Sequence, residues 1–162
     1  MIYIFDIDGT VADNRHRLHH ITGSGKKNWD AFFDPEAMAQ DKPFEPVWEL
    51  MTSLVLTGNR LIFLTSRVER LRGSTRQWLT DINCPVRSVL AAHWLDKRNH
   101  GLDIYMRRNG DHRPSHEVKR ELLADVRANG LSPVMAFDDR KSDLEMFRSE
   151  GLIGALLSEG EF

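Results

Sequence analysis

The chain has 162 residues, of which 41% are hydrophobic and 28% charged, with a net charge of −2 and one cysteine. A chain of this size and composition can bury a core of its own, and a single cysteine excludes an internal disulfide. No apolar run approaches the length of a membrane span, and the opening MIYIFDID lacks the basic start of a secretory leader, so no membrane association and a cytoplasmic, reducing setting are expected.

The small net charge conceals an uneven distribution. Residues 60–120 hold 13 Lys and Arg against 6 Asp and Glu, while the remainder holds 9 against 18. Such an excess alone is as readily a solvated face as an anion-attracting one, and it gains meaning only where an anionic substrate is implied independently.

In chain order, Ile2-Tyr3-Ile4-Phe5 is a short apolar run that stops at Asp6, the pattern of a buried strand with a charged end. Residues 12–45 fit no regular pattern. They contain His16, His19 and His20, a Gly-Ser-Gly-Lys-Lys turn and the aromatics Trp29, Phe32 and Phe33, and are expected to form an irregular or helical insertion, a small cap over the sheet end. Pro46–Leu56 carries apolar residues at helical spacing and is followed by Gly58. Arg60–Leu64 repeats the strand pattern and leads into Thr65-Ser66-Arg67; Val68–Leu79 is a more polar helix. Leu102–Met106 is a further strand candidate. Ser115–Ala128 is helical by its spacing, with Ser115 able to cap its start and Gly130 its end. Val134–Phe137 is a strand leading into Asp138-Asp139-Arg140. Ser142 and Glu145 have capping-box spacing at the head of a short helix through Phe147, and Leu152–Leu157 reads as a last strand. Alternating buried strands and amphipathic helices predict one α/β domain over residues 1–162 with a mainly parallel sheet, which binds ligands at the carboxyl ends of its strands.

Asp6, Thr65 and Asp138 all fall at such ends. In Asp6-Ile7-Asp8-Gly9-Thr10, one carboxylate can attack phosphorus to give an acyl phosphate, and a second, two residues on, can protonate the leaving oxygen and then activate water. Gly9 permits a sharp turn and a close backbone approach. A calcium loop would require further oxygen ligands ending in Glu at fixed spacing, and none follows. Thr65 and the backbone amides after it, Ser66 included, can bind phosphate oxygens, and Arg67 offers a planar fork. Lys119 can neutralise phosphate, although an exposed helical lysine is an equally ordinary reading of that residue alone. Adjacent Asp138 and Asp139 repel one another and suit a hard cation such as Mg²⁺; Asp143 reads as a helix-capping residue. The histidines at 16, 19 and 20 have no accompanying cysteine and read as a solvated cluster.

In combination and order, DIDGT, FLTSR, a helix-borne lysine and FDDRKSD resemble the four motifs of the haloacid dehalogenase superfamily. The stretches MRRNGDHRPSHEVKRELL and VMAFDDRKSDLEMFRSEGL, with the terminal SEGEF, resemble more narrowly the 3′-phosphatase domain of bacteriophage-type polynucleotide kinase/phosphatase, without its kinase domain. The resemblance implies a Rossmann-like fold and Asp6 as nucleophile, with Asp8 as general acid and base. It also implies Thr65 and Lys119 as phosphate ligands, and a Mg²⁺ site made by Asp6, Asp138, Asp139 and the Asp8 main-chain carbonyl. Arg17 follows Asp6 at the family's spacing, so Arg17 and Arg67 become candidate substrate ligands. The implied substrate is a phosphorylated nucleic-acid end, with no obligate protein partner. One departure stands out: the family has an acid one turn before the lysine, and this chain has Ser115. Hydrolysis of free mononucleotides, with Trp29, Phe32 or Phe33 stacking on the base, is the competing enzymatic reading, and a catalytically silent nucleotide-binding module is the non-enzymatic one.

Overall fold

The structure is a computed structural model and describes residues 1–23, 25–96 and 99–157. The terminal SEGEF and Ser24 of the Gly-Ser-Gly-Lys-Lys segment lie outside the described residues.

The first strand, β1 (Ile2–Phe5), is followed by β2 (Ala12–Asp13), a 3₁₀ turn at Arg15–His20, two short helices α1 (Trp29–Phe32) and α2 (Pro35–Ala39), and β3 (Lys42–Pro43). Then come α3 (Glu45–Leu56), β4 (Arg60–Val68), α4 (Arg72–Leu79), α5 (Pro85–Leu95), β5 (Asp103–Arg107), α6 (Ser115–Ala128), β6 (Met135–Asp138), α7 (Lys141–Ser149) and β7 (Ile153–Leu156). Five strands form one sheet in the order β5-β4-β1-β6-β7, and every pairing in it is parallel. The expected α/β architecture with a mainly parallel sheet is therefore present. A separate antiparallel pair, β2 with β3, closes the base of the segment between β1 and α3.

Both faces of the sheet are covered, which is why its strands read as continuous apolar runs rather than as alternating ones. Phe5, Phe63 and Phe137 point to one face, where they meet Met51 and Val55 of α3, Leu79 of α4 and Leu90 of α5. Ile4, Ile62, Leu64 and Ala136 point to the other, against Val118, Leu122 and Val126 of α6 and Phe147 of α7. Phe5 and Phe137 stack at 4.5 Å between ring centroids, fixing β1 beside β6.

Several elements differ from their sequence expectations. The strand expected to stop at Leu64 runs on to Val68, and the helix expected from Val68 begins at Arg72, after a 3₁₀ turn. The extension follows from a register shift: Thr65 pairs with Met106, but Val68 pairs with the next residue, Arg107. Ser66 and Arg67 are thus bulged, and a bulge re-aims the side chains it carries. Ser115 does not cap α6 but is its first residue, after Pro114, and Ser142 lies inside α7 rather than at its head. Helix α5 has no expectation behind it, because its apolar residues were masked by arginine, serine and histidine and by the Cys-Pro at its start.

Candidate active site

Asp6 directly follows β1, Asp138 ends β6, and Thr65 lies two residues beyond Phe63, the β4 partner of Phe5. Parallel pairing therefore brings all three to the carboxyl edge of the sheet. Lys119 reaches them from the second turn of α6 with its side chain buried. Its Nζ donates to Asp138 Oδ2 at 2.6 Å and stands 2.9 Å from Asp6 Oδ1 and 2.8 Å from Asp143 Oδ2. The reading of Lys119 as an exposed helical lysine is excluded by its 1% exposure.

Around this ammonium the negative charge is in excess. Carboxylate oxygens of Asp6, Asp138 and Asp139 lie within 4.8 Å of one another, and Asp143 adds a fourth acid. Burial raises Asp6 above the usual carboxylate range; Lys119 opposes that shift, and Asp138, Asp139 and Asp8 reinforce it. Asp139 is raised to about 7 by burial and by Asp138, and Asp138 is raised by burial against the pull of Lys119. Asp139 Oδ2 is buried without a hydrogen-bond partner, a costly condition unless something else binds it. One ammonium set against several buried carboxylates, with an orphaned oxygen among them, fits a hard divalent cation. No histidine belongs to this group, the only such cluster among the described residues.

Gly9 is required by the same geometry. Its φ is 82°, and a Cβ there would sit 2.3 Å from Asp139 Oδ2, so the DIDGT turn packs its backbone directly against the acidic pair.

Asp8 belongs to a second charged cluster. Arg67 donates to both of its oxygens, at 2.9 and 2.7 Å, and Arg17 Nη2 donates to Oδ1. Both guanidiniums also bind Asp41, at 2.8 and 2.6 Å from Arg17 and 3.1 Å from Arg67. Burial pushes Asp8 up, but Arg67 and Arg17 outweigh it and hold Asp8 well below the usual carboxylate range. With Arg17 and Arg67 at 1% and 0% exposure and turned to carboxylates, the structure brings them to Asp8 rather than to the open cavity. The bulge in β4 is what aims Arg67 inward. Asp41 was not anticipated from sequence. Its main-chain carbonyl accepts from Trp78 Nε1 at 2.9 Å, and His16 Nε2 stands 3.0 Å from its carboxylate.

Asp143 was also missed, having been read as a helix cap. Its carboxylate accepts from Ser115 Oγ at 2.7 Å, and Ser115 lies 2.6 Å from Ser66 Oγ. Because the one Ser115 proton goes to Asp143, Ser66 is the donor to Ser115. Lys119 holds Asp143 below its ordinary value despite burial. Thr65 Oγ1 accepts from the Arg67 amide at 3.2 Å, and Thr65 lines the open cavity.

Above these residues opens a cavity of about 830 Å³. Asp6, Asp8, Thr65, Ser66 and Lys119 line it, with Lys26 to Phe33 along one wall and Arg107 to Arg113 along another. Among the described residues, no helix is long and apolar enough to cross a membrane.

The fold is similar to that of known proteins. Two solved structures described as the Pnkp1/Rnl/Hen1 RNA repair complex and the Pnkp1/Rnl/Hen1 complex match at TM-scores of 0.70 and 0.72 and 21% identity, over 99% of this chain and 43% and 46% of theirs. The chain thus spans less than half the length of either. A haloacid dehalogenase-like family hydrolase from Streptococcus pneumoniae matches at a TM-score of 0.60 and 11% identity, over 96% of this chain and 83% of that one. No curated protein matches by sequence. The family model described as the polynucleotide kinase PNKP phosphatase domain matches residues 1–162, and the chain belongs to that family of haloacid dehalogenase-type phosphatases.

Proposed function

We propose that this phosphatase removes phosphate from nucleic-acid ends in two displacements at Asp6, with Mg²⁺ as its cofactor. The observation that carries the reading is the buried meeting of Asp6, Asp138 and Asp139 with Lys119, of which Asp6 and Lys119 line the large cavity. In the first step a carboxylate oxygen of Asp6 attacks phosphorus, the bond to the leaving oxygen breaks, and that oxygen takes a proton from Asp8. In the second, Asp8 takes a proton from water, the water oxygen attacks phosphorus, and Asp6 is released as a carboxylate together with inorganic phosphate. The two guanidiniums keep Asp8 ionised in the resting site. The negative charge of an arriving phosphate offsets them and raises its proton affinity, which loads it as the acid.

Lys119 and the Thr65 hydroxyl bind phosphate oxygens and stabilise the charge that gathers on them in the transition state. Arg17 and Arg67 act on the substrate phosphate through the Asp8 they orient, and the Ser66–Ser115–Asp143 chain steadies Lys119. Asp6, Asp138, Asp139 and the Asp8 main-chain carbonyl would hold Mg²⁺, which would supply charge neutralisation for the phosphate. Residues 12–45 act as a small cap on this single catalytic domain, since Lys26 to Phe33 form a wall of the cavity.

A nucleic-acid end as substrate is supported by the family and by the lysines and arginines of the cavity walls, Lys26, Lys27, Arg70, Arg107 and Arg113. Phosphate release from matched 3′- and 5′-phosphorylated oligonucleotides and from mononucleotides tests the proposal. The expected result is fastest release from the 3′-phosphorylated oligonucleotide, lost in chelator and in Asp6→Asn. Full activity in chelator or in Asp6→Asn would overturn the mechanism, and mononucleotides cleaved equally well would overturn recognition of a strand end.

A further inference from the structure

Of the four tryptophans, Trp48, Trp78 and Trp94 are 0%, 5% and 4% exposed, whereas Trp29 is 43% exposed. A single exposed aromatic is ordinary on a protein surface, so its surroundings must decide its meaning. Trp29 is held in place from behind. Phe33 stacks on it at 6.0 Å with 19° between the ring planes, and buried Phe32 meets it edge-on at 5.9 Å. Its short helix is capped by Asn28, which accepts from the Ala31 amide at 3.0 Å, and Asp30 reaches Arg70 at 3.5 Å across the cavity rim. The Lys27 ammonium lies over the ring, 5.6 Å from its centroid. An indole fixed in this way presents area to the cavity at little entropic cost. That cavity has Asp6 and Thr65 at its floor, so whatever is esterified to a phosphate bound there extends up its wall.

We propose that the exposed face of Trp29 is the stacking platform for the nucleobase of the nucleotide that carries the scissile phosphate. The proposal rests on the function given above and adds a base-binding subsite to it. Every base has a π face, so the platform tolerates any base and fails to distinguish among them. It does distinguish a terminal nucleotide from a terminal sugar phosphate without a base. The Lys27 ammonium stands over the ring as a flexible point charge, so an arriving base displaces it towards the strand's phosphates.

The test compares two 3′-phosphorylated oligonucleotides, one ending in an ordinary nucleotide and one in an abasic residue. For the wild-type phosphatase the abasic end should raise KM about 10-fold or more, the usual range for a lost base–aromatic contact. In Trp29→Ala that ratio should collapse towards one, and in Trp29→Phe most of it should remain. Equal KM for both ends in the wild type, or a ratio undiminished in Trp29→Ala, overturns the platform. A second measurement does not depend on turnover: tryptophan fluorescence of Asp6→Asn titrated with each oligonucleotide. Quenching by the ordinary end, absent with the abasic end and absent when Trp29→Phe is added, upholds the platform, and equal quenching by both ends overturns it. If neither oligonucleotide is dephosphorylated while glycerol phosphate is, the nucleic-acid reading falls, and the fluorescence titration alone then decides the platform.

Discussion

Replacing Asp41 by alanine should be among the most damaging changes outside the acidic pair, although Asp41 belongs neither to the acidic cluster nor to the cavity lining. Arg17, Arg67, Asp8 and Asp41 form a formally neutral group of two cations and two anions. The Arg17, Arg67 and Asp41 side chains have exposures of 1%, 0% and 0%. Removing Asp41 deletes the acceptor of three guanidinium hydrogen bonds and leaves one buried positive charge without compensation. Breaking a buried ion pair from one side costs about 3–5 kcal/mol. For a domain of this length each kcal/mol lowers Tm by about 2–4 °C, so a fall of roughly 6–20 °C is expected. Urea denaturation followed by circular dichroism measures the free energy, and calorimetry the Tm. Phosphatase activity should fall further than stability explains, because both arginines then turn on Asp8 alone and hold it ionised more firmly, so that it is less often protonated to serve as the acid.

A double-mutant cycle separates this account from simple loss of packing. Asp41→Leu with Arg17→Met leaves Arg67 paired with Asp8 and restores neutrality, so the double variant should be markedly less destabilised than the two single changes added together. Additive single changes, or Asp41→Ala within about 1 kcal/mol of wild type, would refute the charge-balance argument.

Two further outcomes follow from the acidic cluster. Asp143→Asn removes one of the three carboxylates on Lys119 and the charged acceptor of Ser115, so kcat should fall about 10- to 100-fold with little change in KM, the usual scale for a residue that orients a catalytic group; unchanged kcat would exclude the positioning role. In chelator, melting temperature should fall as pH rises from about 4 to 7. Asp6, Asp138 and Asp139 are raised above their unfolded values, Asp139 to about 7, so across that window the folded state holds protons the unfolded chain has released. Stability is then greatest below the unfolded carboxylate pKa and lost towards the folded one. Asp8 and Asp143 are shifted downwards and act only at lower pH. Added Mg²⁺ favours the ionised carboxylates and should flatten the slope; identical slopes with and without Mg²⁺ would refute the coupling.

What could be read in the sequence was what lies next to a strand end. DIDGT, Thr65 and the Asp138–Asp139 pair each follow an apolar run, and parallel pairing alone converts three such ends into one neighbourhood. The sheet and the helices α3, α4, α6 and α7 were legible for the same reason, since buried strands and amphipathic helices carry their own periodicity; α5 was not, its apolar residues being interrupted by polar ones. The bulge at Ser66 and Arg67 was not, because it exists only in the register between β4 and β5. Asp41 was not, because its partners are arginines far along the chain and no local pattern marks a carboxylate that will be enclosed by them.

Ser115 makes the same point from the other side. Judged along the chain, it is the loss of an acid one turn before Lys119 and a reason to doubt the lysine's orientation. In the fold, Ser115 donates to Asp143, and Asp143 sits 2.8 Å from the lysine ammonium, so the carboxylate arrives from α7 instead of α6. The serine also lies 2.6 Å from Ser66 Oγ, so Ser66, Ser115 and Asp143 form a continuous chain from β4 to the lysine. A charge requirement at a site constrains the sum of the side chains that reach it, not the position each comes from. Departure at one motif residue therefore carries little weight until every element packed against that residue has been inspected.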